Sequence, residues 1–302
     1  MMSDEKFADG SKLTLVTTRQ RLREALRPVR SAGKSIGLVP TMGALHEGHL
    51  SLVRASLAEC DYTVVSIFVN PTQFGPHEDF LEYPRTLDAD LERLRTCGVD
   101  LAFAPSNAEM YPNDFSTYVE PPRVAEPLEG QCRPGHFRGV ATVVLKLFHL
   151  VQADVAYFGQ KDYQQSLVIR HMVRDLDVPT EIRVCPTVRE PDGLAMSSRN
   201  RYLSASERRC ALALWRSLRL ATELFARGER DPDVVGEQMR KLLQADTARI
   251  DYVALAHPET LEPADELDAS TMALVAAYVG ATRLIDNCRI GSGQAQQSSA
   301  SG

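Results

Sequence analysis

The sequence predicts an α/β fold: a doubly wound parallel sheet followed by a smaller α+β domain. Three observations carry that expectation. Short apolar runs alternate with amphipathic helical stretches from residue 18 to about 188. The run 62–69, Tyr-Thr-Val-Val-Ser-Ile-Phe-Val, is too apolar to alternate cleanly, as in a strand covered on both faces. After about residue 188 the strand–helix rhythm changes. Strands alternating with helices assemble into parallel sheets through right-handed crossovers.

Taken in order, residues 1–12 read as a loose leader. Residues 18–31 form a first helix with Leu22, Leu26 and Val29 on one side. The first strand, 35–39, breaks at Pro40, and a loop hands the chain to a helix starting near His46 and continued by Leu50, Val53 and Leu57. Arg54 and Glu59 are free to face water. The strand at 62–69 ends in the turn-rich Asn70-Pro71-Thr72-Gln73-Phe74-Gly75-Pro76. Helix 87–97 and strand 101–105 follow. Residues 106–135 are loop-rich, with a short strand expected near 115–120. Helix 138–152, strand 154–158, helix 163–176 and strand 180–188 complete the pattern.

In the second domain, Ser204-Ala205-Ser206-Glu207 has capping-box spacing and starts a helix to about 227, where Gly228 suits its end. Asp231-Pro232 opens a second helix to about 245. Strands are expected over 250–256, 272–279 and 282–287. Domain boundaries fall at 1–188 and 189–290, and the Gly, Ser, Gln and Ala tail 291–302 is expected to be disordered.

The chain has 302 residues, 44% hydrophobic and 25% charged, the balance of a globular protein. Its net charge of −6 argues against nucleic acid as the main partner. The six cysteines form no Cys-x-x-Cys, which reads as buried, reduced thiols. No uninterrupted apolar run approaches the roughly 20 residues of a membrane helix. The first residues are polar and acidic, unlike a signal peptide, so the cytoplasm is the expected location and no membrane partner is expected.

Four loops at strand ends carry the candidate chemistry, and in a parallel sheet those ends point the same way. In the first, His46 and His49 sit three apart on the opening turn of a helix, with Gly48 between them. Unpaired first-turn amides and the helix dipole attract phosphate there. Two imidazoles suit a triphosphate whose charge must be stabilised. Zinc is the rival, but His-Glu-x-x-His spacing is missed by one residue and no third ligand is evident. The second loop is Gly159-Gln160-Lys161-Asp162 with Gln164 and Gln165, in which Lys161 offers a point charge. The third is Met196-Ser197-Ser198-Arg199-Asn200, after Arg189-Glu190-Pro191-Asp192-Gly193. Two hydroxyls and a guanidinium can hold phosphates, and Asp-Gly marks a turn that lets the loop move; an exposed polar loop is the alternative. The fourth is Gln73 with Phe74. Its amide can accept from hydroxyls and donate to a carboxylate, or simply face solvent in a turn.

The string Pro40-Thr41-Met42-Gly43-Ala44-Leu45-His46-Glu47-Gly48-His49 resembles the signature of the pantothenate synthetase (pantoate–β-alanine ligase) family. His-x-Gly-His alone marks the wider nucleotidyltransferase superfamily. Residues 159–165 resemble the family's Gly-Glu-Lys-Asp-Tyr-Gln-Gln, departing at Gln160. Cys132-Arg133-Pro134-Gly135-His136-Phe137 and Tyr83-Pro84-Arg85-Thr86 are also similar, and the resemblance spans roughly residues 12–290.

It implies a Rossmann-like sheet of the HxGH nucleotidyltransferase type with a C-terminal lid, and ATP-dependent condensation of (R)-pantoate with β-alanine through pantoyl adenylate. It implies ATP contacts at Met42, Gly43, Ala44, Leu45, His46, Glu47, Gly48, His49, Gly159, Gln160, Lys161, Asp162, Val188, Met196, Ser197, Ser198 and Arg199. The catalytic group is His46, His49, Lys161, Ser197, Ser198 and Arg199. Gln73 and Gln165 bind pantoate's oxygens, and Pro40, Met42 and Phe158 pack its dimethyl carbon. Arg133 and His136 are lesser candidates. Mg²⁺ is expected with ATP. Asp88 and Asp90 are its candidate protein ligands, although Ala89 separates acids that the family often has adjacent, and a solvated helix start is the plainer reading of both. The family is usually homodimeric. The alternatives are a nucleotidylyltransferase on the same fold and a non-catalytic nucleotide-binding regulator.

Overall fold

A computed structural model describes residues 12–76, 78–247 and 249–292. The expected leader and tail lie outside these residues but for Lys12, Gly291 and Ser292. The chain divides into two compact units that meet in sequence at Val188 and Arg189.

The first unit is built on six parallel strands: β1 (Thr14–Val16), β2 (Ile36–Thr41), β3 (Tyr62–Ile67), β4 (Leu101–Phe103), β5 (Val155–Gly159) and β6 (Glu181–Cys185). Their order is β1-β4-β3-β2-β5-β6. The chain steps outward from β2 through β3 to β4, then returns to place β5 on the other side of β2. The order therefore reverses between β2 and β5, where open α/β sheets bind ligands. β1 escaped the sequence reading because three residues are too few to show a period.

Helices cover both faces. α1 (Arg19–Ser31), α6 (His136–Val151) and α7 (Tyr163–Asp175) pack with Ile36, Leu38, Val64, Leu101 and Phe158 into one core. α2 (Glu47–Glu59) and α3 (Leu87–Cys97) pack with Val39, Val65, Ala102 and Tyr157 into the other. The alternation of Leu38 and Val39 between the two cores is the strand period of two, apolar on both sides. Gly37 permits the approach of α2, because a Cβ there would stand 2.1 Å from Ser56 Oγ.

β2 runs through Pro40 instead of breaking at it. Its ladder to β5 ends at Leu38, while that to β3 continues to Thr41. The Ile36 carbonyl faces β5 and the Thr41 carbonyl faces β3, so the missing N–H of Pro40 falls on the β5 side. Proline thus ends pairing at the switch point at no cost to the central ladder.

The short helices α4 (Asn107–Met110) and α5 (Glu129–Cys132) interrupt the loop-rich stretch. The expected strand at 115–120 is absent. Tyr111, Phe115 and Tyr118 form an edge-to-face chain there, Lys146 lies 4.5 Å from the Phe115 ring centre, and Arg138 lies 4.1 Å from that of Tyr118. Side-chain contacts with α6 order this segment without a partner strand.

The second unit has α8 (Ala205–Ala226) and α9 (Pro232–Gln244) packed on an antiparallel sheet of β7 (Arg249–Ala256), β8 (Met272–Val279) and β9 (Thr282–Arg289). The Ser204/Glu207 capping box is present, and Asp231 caps α9 with Pro232 in its first turn. Five of the six cysteines are half-buried and Cys132 is exposed, so they are less buried than expected.

Candidate active site

β2 and α2 create the histidine site between them. His46 is the N-cap of α2, and its Nδ1 accepts from the Gly48 amide at 3.1 Å. His49 Nδ1 accepts from the His46 amide at 3.3 Å, completing a capping box made of two imidazoles. The ring centres stand 4.1 Å apart. Since both Nδ1 atoms accept, each neutral ring holds its proton on Nε2, an assignment that follows from the hydrogen bonds. Burial, with the neighbouring charges of His46 and Lys161, lowers the pKa of His49 to about 3. The imidazole is neutral at pH 7 and can serve as a hydrogen-bond donor through Nε2.

The expected bed of free helix-terminal amides is not there. Gly43 N donates to Thr41 Oγ1 at 3.2 Å, Ala44 N to Asp90 Oδ2 at 2.9 Å and Leu45 N to Asp90 Oδ1 at 2.8 Å. The His49 and Leu50 amides turn back to the His46 carbonyl. Among described residues from 43 to 50, only the Glu47 amide has no acceptor. The Glu47 carboxylate is exposed and pairs with Arg54. The imidazole Nε2–H groups are thus the donors this loop has left to offer beside the Glu47 amide.

Asp90 corrects the reading of an exposed helix start and an available metal ligand. It is 2% exposed and also accepts from Thr86 Oγ1 at 3.2 Å. Two amides and a hydroxyl occupy its oxygens. Asp88 is exposed in the first turn of α3. No group of three or more His, Cys, Asp or Glu among the described residues could hold a metal ion. The protein side chains present do not fit a resident magnesium.

β3 delivers Gln73 on a 3₁₀ turn, Pro71–Gln73. Asn70, 1% exposed, donates to Gln73 Oε1 at 3.0 Å and to the Gly139 carbonyl at 3.2 Å, while its own Oδ1 accepts from Tyr111 Oη at 2.8 Å. Gln73 Nε2 lies 3.2 Å from Met42 Sδ. The amide is thereby oriented, oxygen toward Asn70 and nitrogen toward Met42. Gly139 admits this turn onto α6, for a Cβ there would meet the Thr72 carbonyl oxygen at 2.3 Å.

Arg133 and His136 support the turn from beneath. His136 donates from Nδ1 to the Gln73 carbonyl at 2.8 Å and accepts at Nε2 from Arg133 at 3.1 Å, the opposite tautomer to that of His46 and His49. Burial, then Arg133, lowers its pKa to about 4. Arg133 makes two 2.7 Å contacts with Glu78. Sequence reasoning missed Asn70; its position before a proline at the end of an apolar run was the available signal.

β5 delivers Gly159 and the turn Gln160–Asp162. Gly159 has ordinary extended angles, φ −86 and ψ 135, and a Cβ there would meet nothing within 4 Å. Neither strain nor packing demands glycine here. Lys161 Nζ lies 3.4 Å from Asp162 Oδ1. Phe158 is buried, with Pro40, Met42, Gln160, Gln165 and Val188 half-buried. Gln164 differs from its neighbour: it accepts from the Glu129 amide and donates to the Val124 and Pro127 carbonyls, which makes it a brace for the 124–129 loop.

In the second unit, the segment 189–200 is pinned at its base. Arg189 pairs with buried Asp286 at 2.6 and 2.9 Å and lies 3.8 Å from the Trp215 ring centre. Arg208 holds Asp192 and Glu190, and Asn200 donates to the Ala195 carbonyl. The flanks of the Asp192-Gly193 turn are thus tied to other residues of the second unit; Gly193 has φ +98, and a Cβ would strike Trp215 at 2.2 Å. Ser197 caps the 3₁₀ turn Ser198–Tyr202 by accepting from Arg199 N. Ser198 is buried, and Met196 and Arg199 are half-buried.

The family profile described as Pantoate-beta-alanine ligase matches residues 14–289. The chain belongs to the pantoate–β-alanine ligase family. It is 54% identical over 280 residues to the pantothenate synthetase of Thermotoga neapolitana, covering 92% of this chain and 100% of that one. It is 56% identical over 276 residues to pantothenate synthetase 1 of Bradyrhizobium diazoefficiens, covering 91% and 97%. A crystal structure of pantothenate synthetase from Thermus thermophilus superposes with a TM-score of 0.87 at 47% identity, over 91% of this chain and 99% of that one. The pantoate–β-alanine ligase of Francisella tularensis, complexed with beta-gamma ATP and β-alanine, gives 0.77 at 35% identity, over 92% and 98%. As a member of this family, the chain is a ligase that condenses pantoate with β-alanine to pantothenate.

Proposed function

We propose that this ligase binds ATP at the β2–β5 switch point and works in two steps through pantoyl adenylate. A pantoate carboxylate oxygen attacks the α-phosphorus of ATP, and pyrophosphate leaves. The β-alanine amine then attacks the activated carbonyl, its proton passes to solvent, and AMP leaves. A carboxylate is a poor acyl donor, and the mixed anhydride supplies the good leaving group. Catalysis is then a matter of positioning and charge stabilisation.

The observation that carries this reading is the pair of adjacent imidazoles, ring centres 4.1 Å apart, whose protons are held on Nε2. They donate to the triphosphate where charge develops as pyrophosphate departs, His49 foremost. Lys161 adds a positive charge beside them, and Gly159 and Val188 receive the adenosine. The Francisella relative's complex with beta-gamma ATP and β-alanine supports both ligands. Gln73, with Gln165, holds pantoate's oxygens; the orientation imposed by Asn70 turns the Gln73 donor face toward them. Pro40, Met42 and Phe158 pack the dimethyl carbon. Ser197, Ser198 and Arg199, on the pinned segment, are assigned to the phosphates of the same ATP, and the second unit to the role of a lid that keeps water from the adenylate.

ATP enters as its magnesium complex. Mg²⁺ would be held chiefly by the phosphate oxygens and water and would neutralise part of the triphosphate charge. Homodimerisation and a cytoplasmic location belong to the same reading on the strength of the family resemblance; no described helix is long and apolar enough to cross a membrane.

The test is pantoate-dependent pyrophosphate release without β-alanine. Wild type should release one equivalent per site. His49→Ala should be slower by roughly 10²-fold or more, the usual effect of losing a transition-state charge contact. No pyrophosphate under any condition would sink the adenylation step.

A further inference from the structure

The loop before the histidines has an unusual backbone. Gly43 has φ +80 and Ala44 φ +51, two successive residues in the left-handed region. For alanine this costs about 1–3 kcal/mol and persists only where the surroundings impose it. Such backbone can turn consecutive amides to one side and form a concavity that suits an anion. Here the anion is the protein's own. Asp90 stands 46 positions from Ala44 in sequence, yet it takes the Ala44 and Leu45 amides on its two oxygens. The fit leaves no spare room, since a Cβ on Gly43 would be 3.0 Å from Asp90 Oδ2. One turn further along α3, Arg93 donates to the Leu45 carbonyl. A single helix face thus grips the donor and acceptor sides of the residues immediately preceding His46. The His46 amide in turn is the donor that sets the His49 ring.

We propose that Asp90 and Arg93 are positioning residues for adenylation: they hold Ala44–Leu45 so that both imidazoles meet the triphosphate. This rests on the assignment of His46 and His49 to the ATP phosphates. Neither residue touches substrate. Both act through the loop, and Asp90 acts as a buried acceptor rather than as a magnesium ligand.

The test is a double-mutant cycle read in steady-state pantoate-dependent pyrophosphate release with β-alanine present. Asp90→Asn keeps the shape but replaces one accepting oxygen with a donor. It should lower kcat by about 10–50-fold and leave KM for pantoate within about twofold, because the Gln73 turn is held by other residues. In a His49→Ala background the same substitution should cost less than about threefold, since residues acting through one another are not additive. Equal losses in both backgrounds, or a lowered Tm with kcat retained, would overturn the positioning role alone. A His49→Ala enzyme as fast as wild type would overturn the imidazole assignment, and this proposal with it. Should Asp90→Asn not fold, Arg93→Met removes only the carbonyl contact and enters the same cycle, with Arg93→Lys expected to restore most of the rate.

Discussion

His49 and His136 are both neutral at pH 7, held so by burial and by neighbouring positive charge. In the unfolded chain each titrates near 6.5; in the folded protein each gains its proton only near 3 and 4 respectively. The unfolded state therefore binds more protons across that interval. The stability these groups contribute is complete above pH 6.5 and is lost as pH falls toward 4 and then 3. Thermal unfolding should show Tm falling over that window. His136→Asn keeps an N–H for the Gln73 carbonyl but cannot titrate, so its Tm should fall less steeply. An unchanged slope would assign the acid sensitivity to other groups. Residue identity alone did not give these protonation states. His46, His49 and His136 look alike in sequence, and their tautomers depend on which ring nitrogen the backbone engages.

At the scale of elements, helices with their own caps were the most legible. Ser204 to Glu207 and Asp231-Pro232 signal their helices through local chemistry, and the structure begins both where that chemistry points. The strand at 115–120 failed because a β-rich stretch becomes a strand only beside a partner, and α6 offers aromatic and cationic contacts instead. The Asp192-Gly193 turn was legible as a turn, but not the ties of its flanks by Arg189 and Arg208 to residues distant in sequence. Arg189→Met would leave Asp286, only 2% exposed, without its ionic partner. Destabilisation of about 3–5 kcal/mol is expected for a buried pair broken on one side. Trp215 is the chain's one tryptophan and stacks on Arg189, so its fluorescence in a denaturant titration measures the effect. An unchanged midpoint would refute the pinning role.

At the scale of the whole molecule, the reversal of strand order between β2 and β5 is what gathers the histidine turn and the Lys161 turn at neighbouring strand ends. Gly159 tests that placement, because its conformation and surroundings tolerate a methyl group. Gly159→Ala should leave Tm unchanged and raise KM for ATP roughly tenfold, about 1–2 kcal/mol for intruding on a ligand's space. An unaltered KM would move the nucleotide away from this backbone.

The sequence by itself determined the layered α/β class, the helix starts and the family, because hydrophobic period, capping chemistry and the Pro40–His49 string are all local. Tertiary structure alone decided that Asp90 fills the amide concavity at Ala44 and Leu45, that Asn70 turns the Gln73 amide, and that Arg133 and His136 carry its carbonyl. Those contacts join residues distant along the chain or fix one rotamer among several, and no local pattern encodes which buried donor meets which acceptor. Packing decides it, since each buried polar group must find a partner once water is excluded.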